Sequence, residues 1–125
     1  MPKKVLVIED NDKNRKLVKI ILEANKYEVI EATTAEESLK YLQDDKPDII
    51  LLDIQLPNMG GLELVKVLKS RQDTKDIPII AVTAYAMKGD KERILSTECD
   101  AYISKPIDTR QLPVIVENML KKTKV

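Results

Sequence analysis

Five polar residues stand at the ends of short apolar runs, and their types suit the handling of a phosphoryl group. They are Glu9, Asp10, Asp53, Thr83 and Lys105. Carboxylates that lie close together repel one another, so a cluster of them needs a cation or raised pKa values. Hard oxygen ligands favour Mg²⁺ over zinc. A lysine adds positive charge, a threonine adds a hydroxyl donor, and a carboxylate can accept a phosphoryl group.

The apolar runs predict the strands that must position these residues. Each run is too short for a helix, and three of them are apolar at successive positions, which is typical of strands covered on both faces. The predicted strands are residues 5–8, 27–32, 49–52, 77–82 and 101–103. The second run alternates imperfectly between apolar and polar residues, which predicts a strand nearer an edge of the sheet.

Segments with apolar residues at helical spacing separate and follow the predicted strands. The rows are Leu17, Ile20, Ile21 and Ala24; Ala35, Leu39 and Leu42; Leu64, Val67 and Leu68; and Leu112, Ile115, Val116 and Met119. A weaker helix is predicted over residues 87–95. Strict β-α alternation predicts a doubly wound (βα)5 sandwich of three layers, with a parallel sheet in the middle. Ligands of such sheets bind beyond the carboxyl ends of the strands, where the five polar residues fall.

Composition excludes several functional classes. Lys plus Arg and Asp plus Glu each number 21, so the formal net charge of zero gives no general attraction to nucleic acid or anionic membrane. The absence of histidine excludes mechanisms that need it, and the single cysteine, Cys99, excludes an intrachain disulfide. No apolar run has transmembrane length and no signal peptide is recognisable. We therefore expect one cytoplasmic domain over residues 1–125.

Each of the five polar residues also has an ordinary structural interpretation. An acid after a strand is commonly a loop residue or a helix cap, Thr83 could cap the next helix, and Lys105 could be an exposed loop lysine. Their shared position at one sheet edge favours a common site. The position of Asp53 also favours a functional site, because Asp53 directly follows four apolar residues of a predicted central strand.

At these residues the sequence resembles the receiver domains of two-component response regulators. Residues 7–11 resemble the family's acidic pair, residues 52–61 its phospho-acceptor strand and loop, and residues 82–84 and 102–106 its remaining signatures. The resemblance implies a flavodoxin-like sheet with strand order 2-1-3-4-5. Residues 86–90 and 101–107 are most similar to strings of single-domain regulators of cell division.

The resemblance also implies roles in phosphorylation and metal binding. Asp53 would be the nucleophile that takes a phosphoryl group from a partner's phosphohistidine. Asp10 and Asp53 would bind Mg²⁺ directly, together with the main-chain carbonyl of Gln55. Glu9 would act largely through water.

A second set of implied roles concerns the conformational change that follows phosphorylation. Lys105 would pair with the phosphoryl group and Thr83 would move to hydrogen-bond it. Tyr102 would then turn inward and change the face formed by the fourth helix, fifth strand and fifth helix, although it could instead simply fill an edge of the core. The Lys105–Pro106 bond is expected to be cis.

The sequence departs from the family's common pattern at three places. The acidic pair is Glu9-Asp10 rather than Asp-Asp, residues 60–61 are Gly-Gly where Asp-Gly is frequent, and residues 98–99 are Glu-Cys in a turn that often carries glycine. The acceptor, the lysine and the threonine all match the pattern.

These expectations describe a stand-alone phosphorylation switch that is not an enzyme beyond its own phosphorylation and dephosphorylation. Its partners would be a sensor histidine kinase or phosphotransfer protein as donor and a downstream protein target, with the chain a monomer or weak dimer. Nucleic acid and membrane insertion are not expected. The main alternative is a receiver cut from a hybrid histidine kinase or a phosphorelay intermediate.

Three other functions compete less well. A Mg²⁺-dependent phosphatase of the aspartyl-phosphate type usually has a second acid where Gln55 stands. A flavin carrier needs a phosphate cradle rich in small residues after the first strand, where the sequence has Glu9 and Asp10 instead. A degenerate receiver is disfavoured because the acceptor, the metal-binding acids, the threonine and the lysine are all present.

Overall fold

Strands and helices alternate from the first strand to the fourth. A computed structural model describes residues 3–53, 61–83, 99–104 and 107–123. The strands β1 to β5 are Lys4–Ile8, Glu28–Ala32, Ile49–Asp53, Ile79–Thr83 and Ala101–Ser104. The helices α1 to α3 are Asp12–Ala24, Ala35–Asp44 and Gly61–Ser70, and the C-terminal helix is Gln111–Thr123. The helix predicted over residues 87–95 and the Lys105–Pro106 bond lie outside the described residues.

The strands form one parallel sheet whose order confirms the predicted fold class. The order is β2-β1-β3-β4-β5, and every neighbouring pair is parallel. The strand β2 lies at one edge, as its alternating pattern predicts, and β5 lies at the other. The strand β3 is central, so the residue that ends it is flanked by the ends of β1 and β4.

Helices cover both faces of the sheet, which accounts for the unbroken apolar runs. One core is formed by the sheet with α1 and the C-terminal helix, and the other by the sheet with α2 and α3. Within β1, Val5 and Val7 face the first core, whereas Leu6 and Ile8 face the second. No helix in the described part of the chain is long and apolar enough to cross a membrane.

Two predictions about these elements are wrong in detail. The buried residues of α1 include Val18 and Leu22, whereas Leu17 and Ile20 of the predicted row are 40% and 60% exposed. Apolar residues cover more than half of the circumference of α1, so spacing alone does not identify the centre of its buried face. The strand β4 begins at Ile79, two residues later than predicted.

The turn after α1 holds a lysine in the left-handed region of backbone conformation. Lys26 has φ of 70°. Its N–H donates to the carbonyl of Glu23 at 3.0 Å, and the N–H of Tyr27 donates to the carbonyl of Leu22 at 3.0 Å. This pair of bonds is a Schellman motif, in which glycine is usual because a Cβ atom costs about 1–2 kcal/mol in this conformation.

Replacing Lys26 with glycine is therefore expected to stabilise the fold. The free energy of unfolding should rise by about 0.5–1 kcal/mol, the relief of backbone strain less the added entropy of glycine in the unfolded chain. Urea denaturation of the two proteins measures the difference. Lys26→Ala is the matched control, because it removes the long side chain but keeps the Cβ atom. An equal gain in Lys26→Ala would show that strain is not the cause.

Candidate functional site

Three carboxylates meet at the carboxyl edge of the sheet. Glu9 and Asp10 follow β1, and Asp53 is the last residue of β3. One side-chain oxygen from each lies within 4.8 Å of the others. Glu9 is 4% exposed and Asp53 is 3% exposed, while Asp10 is open to solvent. We call these three residues the acid cluster.

The sheet register explains why residues distant in sequence come together. Ile8 of β1 is paired with Leu52 of β3, and both strands run in the same direction. The residues that follow each of them therefore lie side by side at the same edge. The N–H of Glu9 donates to the carbonyl of Ala32 at 3.0 Å, which extends the pairing of β1 with β2 by one residue.

Asn11 links the acid cluster to the beginning of α1. Its N–H donates to Oε2 of Glu9 at 3.2 Å, and its side-chain oxygen accepts from the N–H of Asn14 at 3.0 Å as the helix N-cap. The positive end of the helix dipole therefore lies beside the carboxylates. Asparagine directly before a helix is a common cap, so this role had a signal in the sequence.

Arg15 holds the same loop from the side of α1. Its Nη1 donates to the carbonyl of Glu9 at 3.0 Å, its Nη2 donates to Asp12 at 2.5 Å, and its Nε lies 3.4 Å from Glu31. The hydrogen bond to Asp12, together with the charges of Asp12 and Glu31, raises the pKa of Arg15 above its usual value. Sequence reasoning missed Arg15, although its spacing of three residues from Asp12 suits a helical ion pair.

A small apolar cavity lies beneath the two buried carboxylates. Its volume is about 10 Å³, and its lining includes Glu9 and Asp53 together with Val7, Leu51 and Leu112. A cavity of this size is at the lower limit for one water molecule, and an apolar lining gives water few partners. The inner side of the cluster is therefore poorly hydrated, which strengthens electrostatic interactions there.

The acid cluster has the composition of a site for a hard divalent cation. Three negative charges this close repel one another, and their repulsion falls when a cation binds. Carboxylate oxygens are preferred ligands of Mg²⁺, which also keeps several waters of its own. Asp10 supplies a solvent-open side at which such a hydrated ion can enter, and Glu9 and Asp53 supply a buried side.

Of the four remaining predicted site residues, two lie within the described part of the chain. Thr83 is the last residue of β4 and is paired with Ser104 of β5, so its backbone lies at the same edge of the sheet as Asp53. Tyr102 lies in the edge strand β5 and is half-buried. Lys105 and Gln55 lie outside the described residues. The roles predicted for all four stay predictions.

The family model of the response regulator receiver domain matches residues 5–117. The chain belongs to this family.

The curated relatives of the chain include single-domain response regulators of the kind that its sequence resembles. The chain is 47% identical over 120 residues to the polar-differentiation response regulator DivK of Brucella anthropi, covering 96% of this chain and 98% of that protein. It is 46% identical to DivK of Brucella ovis over the same share of each chain. The predicted likeness to a single-domain cell-division regulator is thereby confirmed.

Solved structures with the same fold include two receivers. A CheY-like response regulator receiver domain protein from Methanospirillum hungatei aligns with a TM-score of 0.90 and 31% identity, covering 99% of this chain and 98% of that one. The receiver domain of a sensor histidine kinase from Pseudomonas aeruginosa aligns with a TM-score of 0.89 and 26% identity, covering 97% and 99%. That structure has a magnesium ion coordinated in its active site cleft.

Proposed function

We propose that Asp53 accepts a phosphoryl group from the phosphohistidine of a sensor histidine kinase or phosphotransfer protein. A carboxylate oxygen of Asp53 attacks phosphorus, the P–N bond to the donor imidazole breaks, and the imidazole leaves and takes up a proton. The observation that carries the proposal is the position of Asp53. Its buried carboxylate ends the central strand and lies within 4.8 Å of two further carboxylates.

Mg²⁺ is the cofactor that the proposal requires. Asp10 and Asp53 would bind it directly with the main-chain carbonyl of Gln55, and Glu9 would act through water. When bound, the ion neutralises charge on the phosphoryl oxygens. Glu9 suits the indirect role, since its Oε2 already accepts from the N–H of Asn11. The magnesium ion in the Pseudomonas aeruginosa receiver supports the choice of metal.

Lys105 and Thr83 would hold the phosphoryl group on the side away from the acid cluster. The parallel pairing of β4 with β5 brings the end of β4 beside Ser104, and Lys105 follows Ser104 directly in the sequence. Lys105 would provide a positive charge and Thr83 a hydroxyl donor. Tyr102 would turn inward with Thr83, so that phosphorylation alters the face formed by β5, the C-terminal helix and the segment 87–95.

The resulting function is a stand-alone cytoplasmic switch whose output is a change in binding to a downstream protein. The identity to DivK over almost the full length of both chains supports a stand-alone regulator. The alternative, a receiver that works within a hybrid histidine kinase or as a phosphorelay intermediate, is supported by the likeness to a sensor kinase receiver. We expect a monomer or weak dimer, and catalysis of its own phosphorylation and dephosphorylation alone.

Intact-mass spectrometry tests this function. The protein is incubated with acetyl phosphate in the presence of Mg²⁺ or of EDTA. We expect the mass of one phosphoryl group to be added with Mg²⁺ only, and to be removed by hydroxylamine, which cleaves acyl phosphates but not phosphoserine or phosphothreonine. Resistance to hydroxylamine would contradict a carboxylate acceptor. No addition from acetyl phosphate or from a phosphorylated phosphotransfer domain would contradict the function itself.

A further inference from the structure

A lysine with a largely covered side chain joins three separate parts of the chain at the amino edge of the sheet, opposite the acid cluster. The side chain of Lys69, near the end of α3, is 9% exposed. Its ammonium group donates to the carbonyls of Lys75 and Ile77 at 3.2 and 3.1 Å and to Oδ2 of Asp100 at 3.1 Å. A buried ammonium group is costly unless all its protons are bound, and here three acceptors are available.

Asp100 in turn binds the first residue of β4 through both its main chain and its side chain. The N–H of Ile79 donates to Oδ2 of Asp100 at 2.8 Å. The N–H of Asp100 donates to the carbonyl of Ile79 at 2.9 Å. Because Oδ2 is also the atom that Lys69 contacts, the ion pair holds the carboxylate in the orientation that receives Ile79.

The strand that follows Asp100 is short and lies at an edge of the sheet. The strand β5 has four residues and, in the described part of the chain, pairs with β4 alone. Ile103 is buried, while Ala101 and Tyr102 are half-buried. A slip of one residue would move each side chain to the opposite face of the sheet. The four register pairs of β5 with β4 and the burial of Ile103 oppose such a slip, and the two hydrogen bonds between Asp100 and Ile79 add to them at the start of β5.

We propose that Lys69 and Asp100 are positioning residues that fix the register of β5 on β4, and with it the point from which the chain continues to Lys105. The proposal rests on the proposed function of Lys105 in holding the phosphoryl group. The acid cluster belongs to β1 and β3, which the Lys69–Asp100 ion pair does not contact in the described part of the chain. Metal binding and phosphorylation should therefore respond differently when the ion pair is lost.

The variants Lys69→Met and Asp100→Ala test the proposal. We expect Mg²⁺ affinity to be unchanged, and the rate of phosphorylation by acetyl phosphate to fall by about 10- to 100-fold, as expected when a group at a reacting centre is misplaced. Asp100→Asn keeps an oxygen that can accept from Ile79 while losing the charge. Its phosphorylation rate should lie between those of Asp100→Ala and the wild type. If the other two variants do not fold, Asp100→Asn alone tests the proposal.

Lys46→Met is the matched control. Lys46, like Lys69, donates to a main-chain carbonyl, that of Leu42, and pairs with an aspartate, Asp73, at 3.3 Å, but it joins α2 to the turn after α3. Its phosphorylation rate should match the wild type. The proposal would be overturned if the rates in Lys69→Met and Asp100→Ala equalled that in Lys46→Met, or if Mg²⁺ affinity fell in proportion to the rate.

Amide hydrogen exchange provides a readout that does not depend on phosphorylation. The N–H of Asp100 donates to β4, so in this parallel edge strand the N–H of Tyr102, two residues on, faces β4 as well. In Lys69→Met and Asp100→Asn, the N–H groups of residue 100 and Tyr102 should exchange faster, while those of Leu51 and Leu52 in the central strand keep their protection. Unchanged protection in β5 would overturn the proposal. A wild-type protein that takes up no phosphoryl group would instead contradict the proposed function, and the exchange result would still decide the role of the ion pair.

Discussion

Replacing Asp53 with asparagine is expected to abolish phosphoryl addition. The amide has nearly the shape of the carboxylate, so the buried position at the end of β3 stays filled, but its neutral oxygen is not a nucleophile at this step. Asp53 is 3% exposed and lies within 4.8 Å of the other two acids, so the loss of one charge also lowers their mutual repulsion. We therefore expect a folded protein with no acceptor. Intact-mass spectrometry after incubation with acetyl phosphate and Mg²⁺ measures the loss.

Asp44→Asn is the control for this loss of a carboxylate. Asp44 ends α2, is exposed, and lies toward the amino edge of the sheet, opposite the acid cluster. Its variant should accept one phosphoryl group as the wild type does. Phosphoryl addition that survives in Asp53→Asn would mean that another residue is the nucleophile. Hydroxylamine sensitivity and peptide mapping would then direct attention to Asp10, the neighbouring acid.

The sequence predicts the position of Asp53 well because the signal is local. Four apolar residues covered on both faces identify a central strand, and an acid that ends such a strand lies at the ligand-binding edge. The edge position of β2 follows from its alternating pattern for the same reason. The strand order, in contrast, depends on the family resemblance, since apolar runs carry no information about which strands are neighbours.

Features that depend on contacts between distant residues were missed. Lys69 and Asp100 are 31 positions apart, and nothing near either residue indicates that they form an ion pair. The apolar run predicts the start of β4 two residues too early for a local reason, because Ile77 is apolar yet lies in a turn, where its N–H donates to the carbonyl of Thr74. Spacing also fails to identify the buried face of α1, because Leu17 and Ile20 fit helical spacing as well as Val18 and Leu22 do.

Replacing Asp10 with asparagine is expected to lower Mg²⁺ affinity by roughly 100-fold, since a hard cation loses one of its charged oxygen ligands. Asp10 is the exposed member of the acid cluster, so its replacement should leave the core intact. Phosphorylation at a fixed, subsaturating Mg²⁺ concentration should fall with the affinity, and high Mg²⁺ should restore part of the rate. This partial rescue distinguishes Asp10→Asn from Asp53→Asn, in which no concentration of Mg²⁺ replaces the nucleophile.

Thermal unfolding measures the same site without phosphorylation. Mg²⁺ at ten times its dissociation constant should stabilise the wild type by about 1.4 kcal/mol, because the ion binds only the folded site. Asp10→Asn should gain far less at that concentration, whereas the control Asp44→Asn should gain as much as the wild type. In EDTA, where no Mg²⁺ offsets the repulsion, Asp10→Asn should unfold at a higher temperature than the wild type because one of the three repelling charges is gone. Equal Mg²⁺ stabilisation of Asp10→Asn and the wild type would show that Asp10 is not a ligand of the metal.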